Sequence, residues 1–360
     1  MARIDVVTMG ELLIDFVSST AGISIRNSHE FIKAAGGAPA NVAVGVRRFD
    51  RSSAFIGKVG NDEFGSFLVD MLTREGVDTR GIRYENQART ALAFVSLGEK
   101  GEREFMFYRH PSADMLLDPG EVDLSIIAQS RVFHHGSISL INEPVRSATR
   151  AAITAARDAG ALVSYDPNLR LSLWKSPHEA RKVILSAFHT ADLIKLSHDE
   201  MSFLTGAATV DEGKSRLRSI AEDHCLIIVT RGKQGCTFVR GETCFDVPGF
   251  NVRVVDTTGA GDAFIAGLLV GLITKWEILM PSVCLRQAVR ELEEKDWRDI
   301  LLLANATGAL CTRKKGAIPA LPTRDETLEF LREHGSTSKA DAFGCVCQCH
   351  HSEFLSSPRS

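Results

Sequence analysis

A glycine-rich turn that carries one acidic residue is the part of this chain best suited to chemistry. The run is Val-Asp-Thr-Thr-Gly-Ala-Gly-Asp-Ala-Phe over residues 255–264. The β-branched residues in 251–255 predict a strand before it, and the apolar residues 263–270 predict a helix after it. Glycine permits a sharp turn, and the first N–H groups of a helix lack internal partners and carry partial positive charge. The junction therefore predicts a phosphate cradle formed by the N–H groups of Gly259, Ala260 and Gly261.

Asp262 lies in the first turn of the same predicted helix. A carboxylate at this position is expected to stay ionised, so it could accept a proton from an alcohol held beside the phosphate. The alternative is that Asp262 only begins a helix and that the glycines only make a tight turn. A Gly-Ala-Gly tripeptide alone does not decide between these two interpretations.

The composition is that of an ordinary globular protein. The chain has 360 residues, 44% of them hydrophobic and 24% charged, with a net charge of −3. Its length allows one large α/β domain or two ordinary ones, and its charge gives no reason to expect a nucleic acid or an anionic membrane as a partner. No apolar run long enough to span a membrane and no signal-peptide pattern is evident, and the eight cysteines form no disulfide framework. We therefore expect a cytoplasmic protein.

Short apolar runs alternate with amphipathic stretches through most of the chain. Strands are predicted at residues 6–9, 54–57, 132–135, 162–165, 193–196 and 226–229, and helices at 40–49, 64–74, 143–158, 177–188 and 300–310. This alternation predicts an α/β fold with a mostly parallel, doubly wound sheet flanked by helices, in which ligands bind beyond the carboxyl ends of the strands. Residues 92–108 depart from the pattern and read as two strands around a turn.

Two separate motifs resemble the signatures of the PfkB (ribokinase-like) family of carbohydrate kinases. One is the glycine-rich turn at 255–264, and the other runs from Ala-Gly-Gly-Ala-Pro-Ala-Asn at 35–41 to the segment at 55–65. The resemblance extends from about residue 4 to about residue 333. Within the family it is strongest to plant-type fructokinases, through the segments 105–117, 135–140, 165–170 and 314–323.

The resemblance implies how the chain is organised. Residues 1–334 would form the kinase domain, with a small β-sheet lid over the sugar built from segments of about 11–34 and 88–112. Family members often pair through their lids, which implies a homodimer. Residues 335–360 form a Cys- and Ser-rich tail that we expect to be disordered; its cluster at 345–351 could bind a metal, although one short cluster does not easily supply a full ligand set.

The activity implied is ATP-dependent transfer of phosphate to the 6-hydroxyl of D-fructose, with Mg²⁺ and, in this family, a monovalent cation such as K⁺. Asp262 matches the catalytic base. The alternatives are 2-keto-3-deoxygluconate kinase or another PfkB sugar kinase, and a non-catalytic PfkB-like component of a protein assembly. The glycine-rich turn and Asp262 are intact, which favours a kinase over the non-catalytic alternative.

The resemblance also implies the remaining site residues. Those matching the sugar site are Asp15, Gly36, Gly37, Asn41, Arg109, Glu143 and Arg170. Those matching the nucleotide site are Thr230, Gly232, Gly235 and Asn305. Glu200 would face the waters bound to magnesium, and Asp256, Thr258 and Gly316 would hold the monovalent cation. Glu143 could instead be a helix-start carboxylate, and either arginine could instead form a surface salt bridge.

Overall fold

A computed structural model describes residues 3–20, 22–97, 103–220 and 225–344. Within them the strands are β1 Ile4–Met9, β2 Leu13–Ser18, β3 Phe31–Gly36, β4 Ser53–Gly60, β5 Asp78–Glu85, β6 Leu92–Leu97, β7 Arg103–Tyr108, β8 Ser130–His135, β9 Leu162–Tyr165, β10 Leu193–Ser197, β11 Leu226–Thr230, β12 Cys236–Arg240 and β13 Thr243–Val247. The helices are α1 Ala38–Arg47, α2 Glu63–Arg74, α3 Leu124–Ala128, α4 Val145–Asp158, α5 Pro177–Phe188, α6 His198–Thr205, α7 Val210–Ile220, α8 Ala260–Leu279, α9 Leu285–Glu291, α10 Glu294–Cys311, α11 Arg324–Glu333 and α12 Thr337–Gly344.

The large sheet has the strand order β13-β12-β11-β10-β9-β8-β1-β4-β5. Neighbours from β11 to β5 are parallel, and β12 and β13 add an antiparallel edge. Helices cover both faces because successive strand residues point to opposite sides. Val6 packs in the same core cluster as Leu268 of α8, whereas Val7 packs with Ala152 of α4. The predicted mostly parallel α/β fold is confirmed.

A second, four-stranded sheet has the order β3-β2-β6-β7. It joins the segment after β1 to the hairpin of β6 and β7, with β2 pairing antiparallel to β3 and parallel to β6. Aromatic side chains pack across these strands: Phe94 contacts Phe16, Phe31 and Tyr108 with ring centroids 5.2–5.6 Å apart. The expected small sheet is therefore present and contains strands from both predicted segments.

Residues 251–255 correct the sequence prediction, because they form no strand. Val254 and Val255 are about half exposed, so they gain little apolar burial that would favour pairing in a sheet. The N–H groups of Val255 and Asp256 instead donate to the carbonyl of Thr312, at 2.8 and 3.1 Å, near the end of α10. An irregular segment thus leads into the glycine-rich turn. The β-branched pattern could not reveal this, because pairing depends on a neighbouring strand edge.

The tail also differs from the expectation of disorder beyond residue 335. Helix α12 buries Ala340 and Phe343 in the same core cluster as α8 and α10. The Arg324 guanidinium donates to the carbonyls of Phe343 and Gly344, at 3.2 and 2.6 Å. Apolar burial and these bonds offset the ordering entropy of a short segment. The Cys/His cluster at 345–351 lies outside the described residues.

None of the helices in the described ranges is both long and apolar enough to cross a bilayer.

Candidate active site

The start of α8 forms the floor of the site. Gly259 caps the helix with φ of 77°, and a Cβ there would lie 2.9 Å from Cα of Ala317, so only glycine fits without strain. The first helical hydrogen bond runs from the Ala263 N–H to the Gly259 carbonyl at 2.8 Å, and the Ala260 N–H makes a longer bond of 3.3 Å to Thr257. The N–H groups of Gly261 and Asp262 precede that first helical bond, which is the geometry that binds an anion.

Asp262 is the third residue of α8 and is buried, with 7% of its surface exposed. Its Oδ2 accepts a 2.7 Å hydrogen bond from Nδ2 of Asn41, and its Oδ1 accepts a 3.4 Å bond from Nδ2 of Asn168. Burial raises the pKa of Asp262 to about 6, although Asn41 and the nearby cation Lys195 lower it. The carboxyl group is therefore mainly ionised at neutral pH and is basic enough to accept a proton.

The predicted sugar residues Asp15, Gly36, Gly37 and Asn41, which we call the sugar wall, lie where the small sheet meets α1: Asp15 is in β2, Gly36 ends β3, Gly37 caps α1 and Asn41 lies in α1. A Cβ on Gly36 would lie 2.2 Å from Oδ2 of Asp15 across the β2–β3 pair. Gly37 has φ of 116°, and a Cβ there would lie 2.3 Å from the Glu11 carbonyl. Both glycines thus allow Asp15 and the Glu11 carbonyl to approach the backbone more closely than any residue with a side chain would. The wall ends at Asn41, which contacts Asp262.

Two residues predicted for the sugar site have other contacts. Arg109 is 4% exposed and binds Asp114 Oδ2 through Nε at 3.0 Å and through a terminal nitrogen at 2.5 Å. Glu143 has a 54% exposed side chain that accepts the Ser147 N–H at 3.1 Å and lies 3.9 Å from Arg146. Glu143 therefore lies at a helix start, which was the alternative left open by the sequence. Arg109 does form an ion pair, but the pair is buried and not the surface salt bridge of the alternative.

The four predicted nucleotide residues line one cavity of about 290 Å³. It is bordered by Thr230, Gly232, Gly235 and Asn305, and it reaches the α8 cradle at Ala260 and Gly261. Gly235 has φ of 91°, and a Cβ there would lie 2.1 Å from the Val247 carbonyl. Asn305 donates from Nδ2 to the carbonyls of Val247 and Pro248, at 3.3 and 3.1 Å, so it fixes the cavity wall.

A second cavity of about 400 Å³ adjoins the cradle and is lined by Asn168, Arg170, Lys195, Ser197 and Glu200, among others. Both oxygens of Glu200 accept backbone N–H groups: Oε1 from Leu169 at 2.8 Å and Oε2 from Ser197 at 2.7 Å. Glu200 therefore ties the loop after β9 to the start of α6. The Arg170 guanidinium lies 5.3 Å from the centre of the Phe105 ring in the small sheet.

The three residues predicted for a monovalent cation are also brought together. Oδ1 of Asp256 accepts the Thr258 N–H at 2.9 Å and its hydroxyl at 2.6 Å, and Oδ2 accepts the Gly316 N–H at 2.9 Å. Asp256 thereby joins the turn before α8 to the loop after α10.

Three buried charged residues of this region were not predicted from the sequence. Lys195 and Asp166, with side chains only 8% and 5% exposed, form an ion pair at 2.9 Å. Glu11 accepts the Ala38 N–H at 3.1 Å, and burial raises its pKa to about 7 against the lowering effects of that bond and of Arg109. Lys195 had a local signal, namely a charge inside the apolar strand 193–196. Glu11 and Asp166 had none strong enough to separate them from ordinary loop residues.

Transfer of phosphate to an alcohol needs a cradle for the terminal phosphate and a base within reach of the hydroxyl. The first turn of α8 supplies both, at the carboxyl ends of a doubly wound sheet. Fold and site together define a ribokinase-like small-molecule kinase. The model of the pfkB family of carbohydrate kinases matches residues 3–324, and the chain belongs to that family.

Named relatives agree with this assignment. The chain is 50% identical over 327 residues to a probable fructokinase-2 from Arabidopsis thaliana, covering 91% of this chain and 95% of the relative. A crystal structure of fructokinase from Xylella fastidiosa with bound ATP matches with a TM-score of 0.80 and 32% identity, covering 92% and 99% of the two chains. A double mutant of fructokinase from Vibrio cholerae, bound to fructose, ADP and potassium, matches with a TM-score of 0.78 and 33% identity over 92% and 99%.

Proposed function

We propose that this protein is an ATP-dependent fructokinase that converts D-fructose to D-fructose 6-phosphate. The observation that carries the proposal is the 2.7 Å contact between Asn41 and Asp262 at the α8 cradle. This contact joins the end of the sugar wall to the base. Gly261, the residue before Asp262, lines the nucleotide cavity. The identity to plant fructokinases supports fructose as the acceptor.

In the reaction, the nucleotide occupies the cavity bordered by Thr230 and Asn305, with its terminal phosphate at the cradle. The sugar lies against Asp15, Gly36 and Gly37 with its hydroxyl directed at Asp262. As the hydroxyl oxygen forms its bond to the γ-phosphorus, its proton passes to a carboxylate oxygen of Asp262, and the bond to the β-phosphate oxygen breaks to release ADP. A positioned base contributes about 10²–10⁴-fold in rate, and preorganised N–H groups stabilise the charge on the transferred group.

The residues present fit magnesium that arrives with the nucleotide. No cluster of three or more potential metal ligands occurs in the described part of the chain. Mg²⁺ commonly keeps several waters and is held by substrate phosphates with one or two carboxylates. Glu200 lines the second cavity beside the cradle, so it would face those waters. When bound, Mg²⁺ neutralises phosphate charge.

The contacts around Asp256 fit a monovalent cation near the cradle. The Asp256 carboxylate and the carbonyl groups of Thr258 and Gly316 would hold the ion, since the N–H groups of both residues donate to Asp256 and place them beside it. Its role would be to fix the turn that precedes α8. We expect fructose phosphorylation to rise when K⁺ replaces a bulky organic cation in the buffer, and unchanged rates would remove K⁺ from the proposal.

A comparison of two coupled assays tests the activity and the position of transfer. Pyruvate kinase and lactate dehydrogenase report ADP from any acceptor, whereas phosphoglucose isomerase and glucose-6-phosphate dehydrogenase report fructose 6-phosphate alone. We expect equal rates in both assays with fructose. ADP release without the second signal would mean transfer to another hydroxyl, and higher kcat/KM for 2-keto-3-deoxygluconate would reassign the substrate.

A non-catalytic role in a protein assembly is the remaining alternative. It predicts no ADP release with any sugar or sugar acid in the panel. The retained contacts of Asp262 with Asn41 and Asn168 favour catalysis.

We further propose that residues 1–334 form the kinase domain, against whose core α12 packs, and that it works as a cytoplasmic homodimer. The small sheet exposes Ile32 and Tyr108, at 63% and 58%, which favours pairing through that sheet. Light scattering should give twice the mass of one chain, and Ile32→Asp should halve it. The eight cysteines of the sequence form no disulfide framework, which suits a reducing compartment; fluorescent fusions would test the location.

A further inference from the structure

Lys195 is a buried cation beside the start of α8. It comes from the middle of β10, where its neighbours Ile194 and Leu196 are fully buried. Its ammonium lies 3.2 Å from the position that a Cβ on Gly261 would occupy. Lys195 also lines the second cavity, while Gly261 lines the nucleotide cavity. The ammonium therefore lies against the cradle, where the two cavities approach each other.

The hydrogen bonds of this ammonium are incomplete. A lysine ammonium has three N–H donors. Within the described ranges, one acceptor lies at hydrogen-bonding distance, namely Oδ2 of Asp166 at 2.9 Å. Buried donors are rarely left without partners. An anionic ligand at the cradle would supply the missing acceptors.

Charges around Lys195 keep it protonated. Burial lowers its pKa, but the carboxylates of Asp166, Glu200 and Asp262 outweigh burial and hold the pKa above its usual range. The other nearby cation is Arg170, which lines the same second cavity. Asp166 is itself fixed, because its Oδ1 accepts the Asn168 N–H at 3.1 Å.

We propose that Lys195 is a catalytic residue that hydrogen-bonds the terminal phosphoryl group of ATP as it is transferred, and that Asp166 positions it. This inference rests on the proposed phosphotransferase function. Lys195 keeps its proton throughout, and its charge offsets the negative charge that the transferred group carries between ADP and the sugar oxygen. A charge-assisted bond of this kind acts on the terminal phosphate and leaves ADP largely unaffected.

The test compares Lys195→Met with the double variant Lys195→Met/Asp166→Asn. The single variant leaves Asp166 as a buried unpaired carboxylate, so it is expected to be unstable. The double variant removes both charges with little change in shape, so it should regain most of the lost thermal stability. If the ion pair were only structural, the double variant would also regain activity.

We expect the double variant to lose about 100-fold or more in kcat for fructose, with the KM for fructose within threefold of wild type. It should also bind a non-hydrolysable ATP analogue about tenfold more weakly, while ADP affinity changes less than twofold. A double variant with near-native kcat and an unchanged preference for the ATP analogue over ADP would overturn the inference.

The binding measurement keeps the two proposals separate. If the wild type phosphorylates no sugar, the proposed function fails, yet loss of the preference for the ATP analogue in the variant would still show contact with the terminal phosphate. If the wild type phosphorylates fructose and the double variant matches it, the function stands and the role of Lys195 fails.

Discussion

Replacing Asp262 with asparagine should inactivate the protein and stabilise it at the same time. The carboxyl is buried and its pKa is raised from 3.8 to about 6. Ionisation of this carboxyl at neutral pH therefore lowers the stability of the folded state relative to the unfolded state. Below pH 3.8 it is protonated in both states and costs nothing; the cost develops as the pH rises from 3.8 to about 6 and is constant above.

The magnitude follows from the size of that shift. The rise of the Asp262 pKa from 3.8 to about 6 lowers the unfolding free energy by about 3 kcal/mol at pH 7 and by about 1 kcal/mol at pH 4.5. Asparagine keeps the acceptor for Asn41 but loses the 3.4 Å bond from Asn168, which costs about 1 kcal/mol. We expect Asp262→Asn to be about 2 kcal/mol more stable at pH 7 and nearly equal to wild type at pH 4.5.

Urea unfolding of both proteins at the two pH values, without nucleotide, measures this difference. Asp166→Asn is the matched control, because its carboxyl is equally buried but paired with Lys195; losing it leaves a buried cation and should destabilise by about 3–5 kcal/mol. In parallel, kcat of Asp262→Asn should fall about 10²–10⁴-fold, and wild-type kcat/KM for fructose should fall below about pH 6. The assignment of Asp262 as a base destabilised by burial would be refuted if the variant were less stable than wild type at pH 7. It would also be refuted if the difference in unfolding free energy did not shrink at pH 4.5.

Three other substitutions test the nucleotide cavity, the sugar wall and the packing of α12 one at a time. Gly235→Ala places a Cβ 2.1 Å from a backbone carbonyl and should raise the KM for ATP at least tenfold in steady-state assays. Gly232→Ala shares the strain of a positive φ and borders the same cavity but has no atom within 4 Å of its Cβ, so it should change the KM much less; equal effects would contradict the close-approach argument. Gly36→Ala places a Cβ 2.2 Å from Asp15 and should raise the KM for fructose while sparing the KM for ATP, in contrast to Gly136→Ala, whose nearest contact is an ordinary 3.5 Å; a raised KM for ATP alone would exclude Gly36 from the sugar wall. Phe343→Ala should lower the unfolding free energy by about 3 kcal/mol in urea with kcat unchanged, because the side chain is buried beside Lys275, near the end of α8 opposite to Asp262; no loss would mean that α12 does not pack as described.

The sequence was a good guide wherever the signal is local. Strand–helix alternation located the parallel sheet, and β9 and α5 were predicted with the bounds that the structure shows. Such elements depend on hydrophobic periodicity and on capping residues such as Ser176, which accepts the Glu179 N–H. The prediction failed at 251–255, where strand propensity had no adjacent edge to pair with, and at α12, whose polar sequence hides two buried side chains.

The chain by itself determined the glycine-rich cradle, the position of Asp262 within it and the family to which both belong. The tertiary structure alone decided how basic Asp262 is, that Arg109 is paired with Asp114, and that Lys195 lies against Gly261. The physical reason is that a turn is set by neighbouring residues, whereas a pKa or an ion pair also depends on burial and on which partners the fold brings together. Asn41 and Asp262 are 221 positions apart in the chain and 2.7 Å apart in the fold.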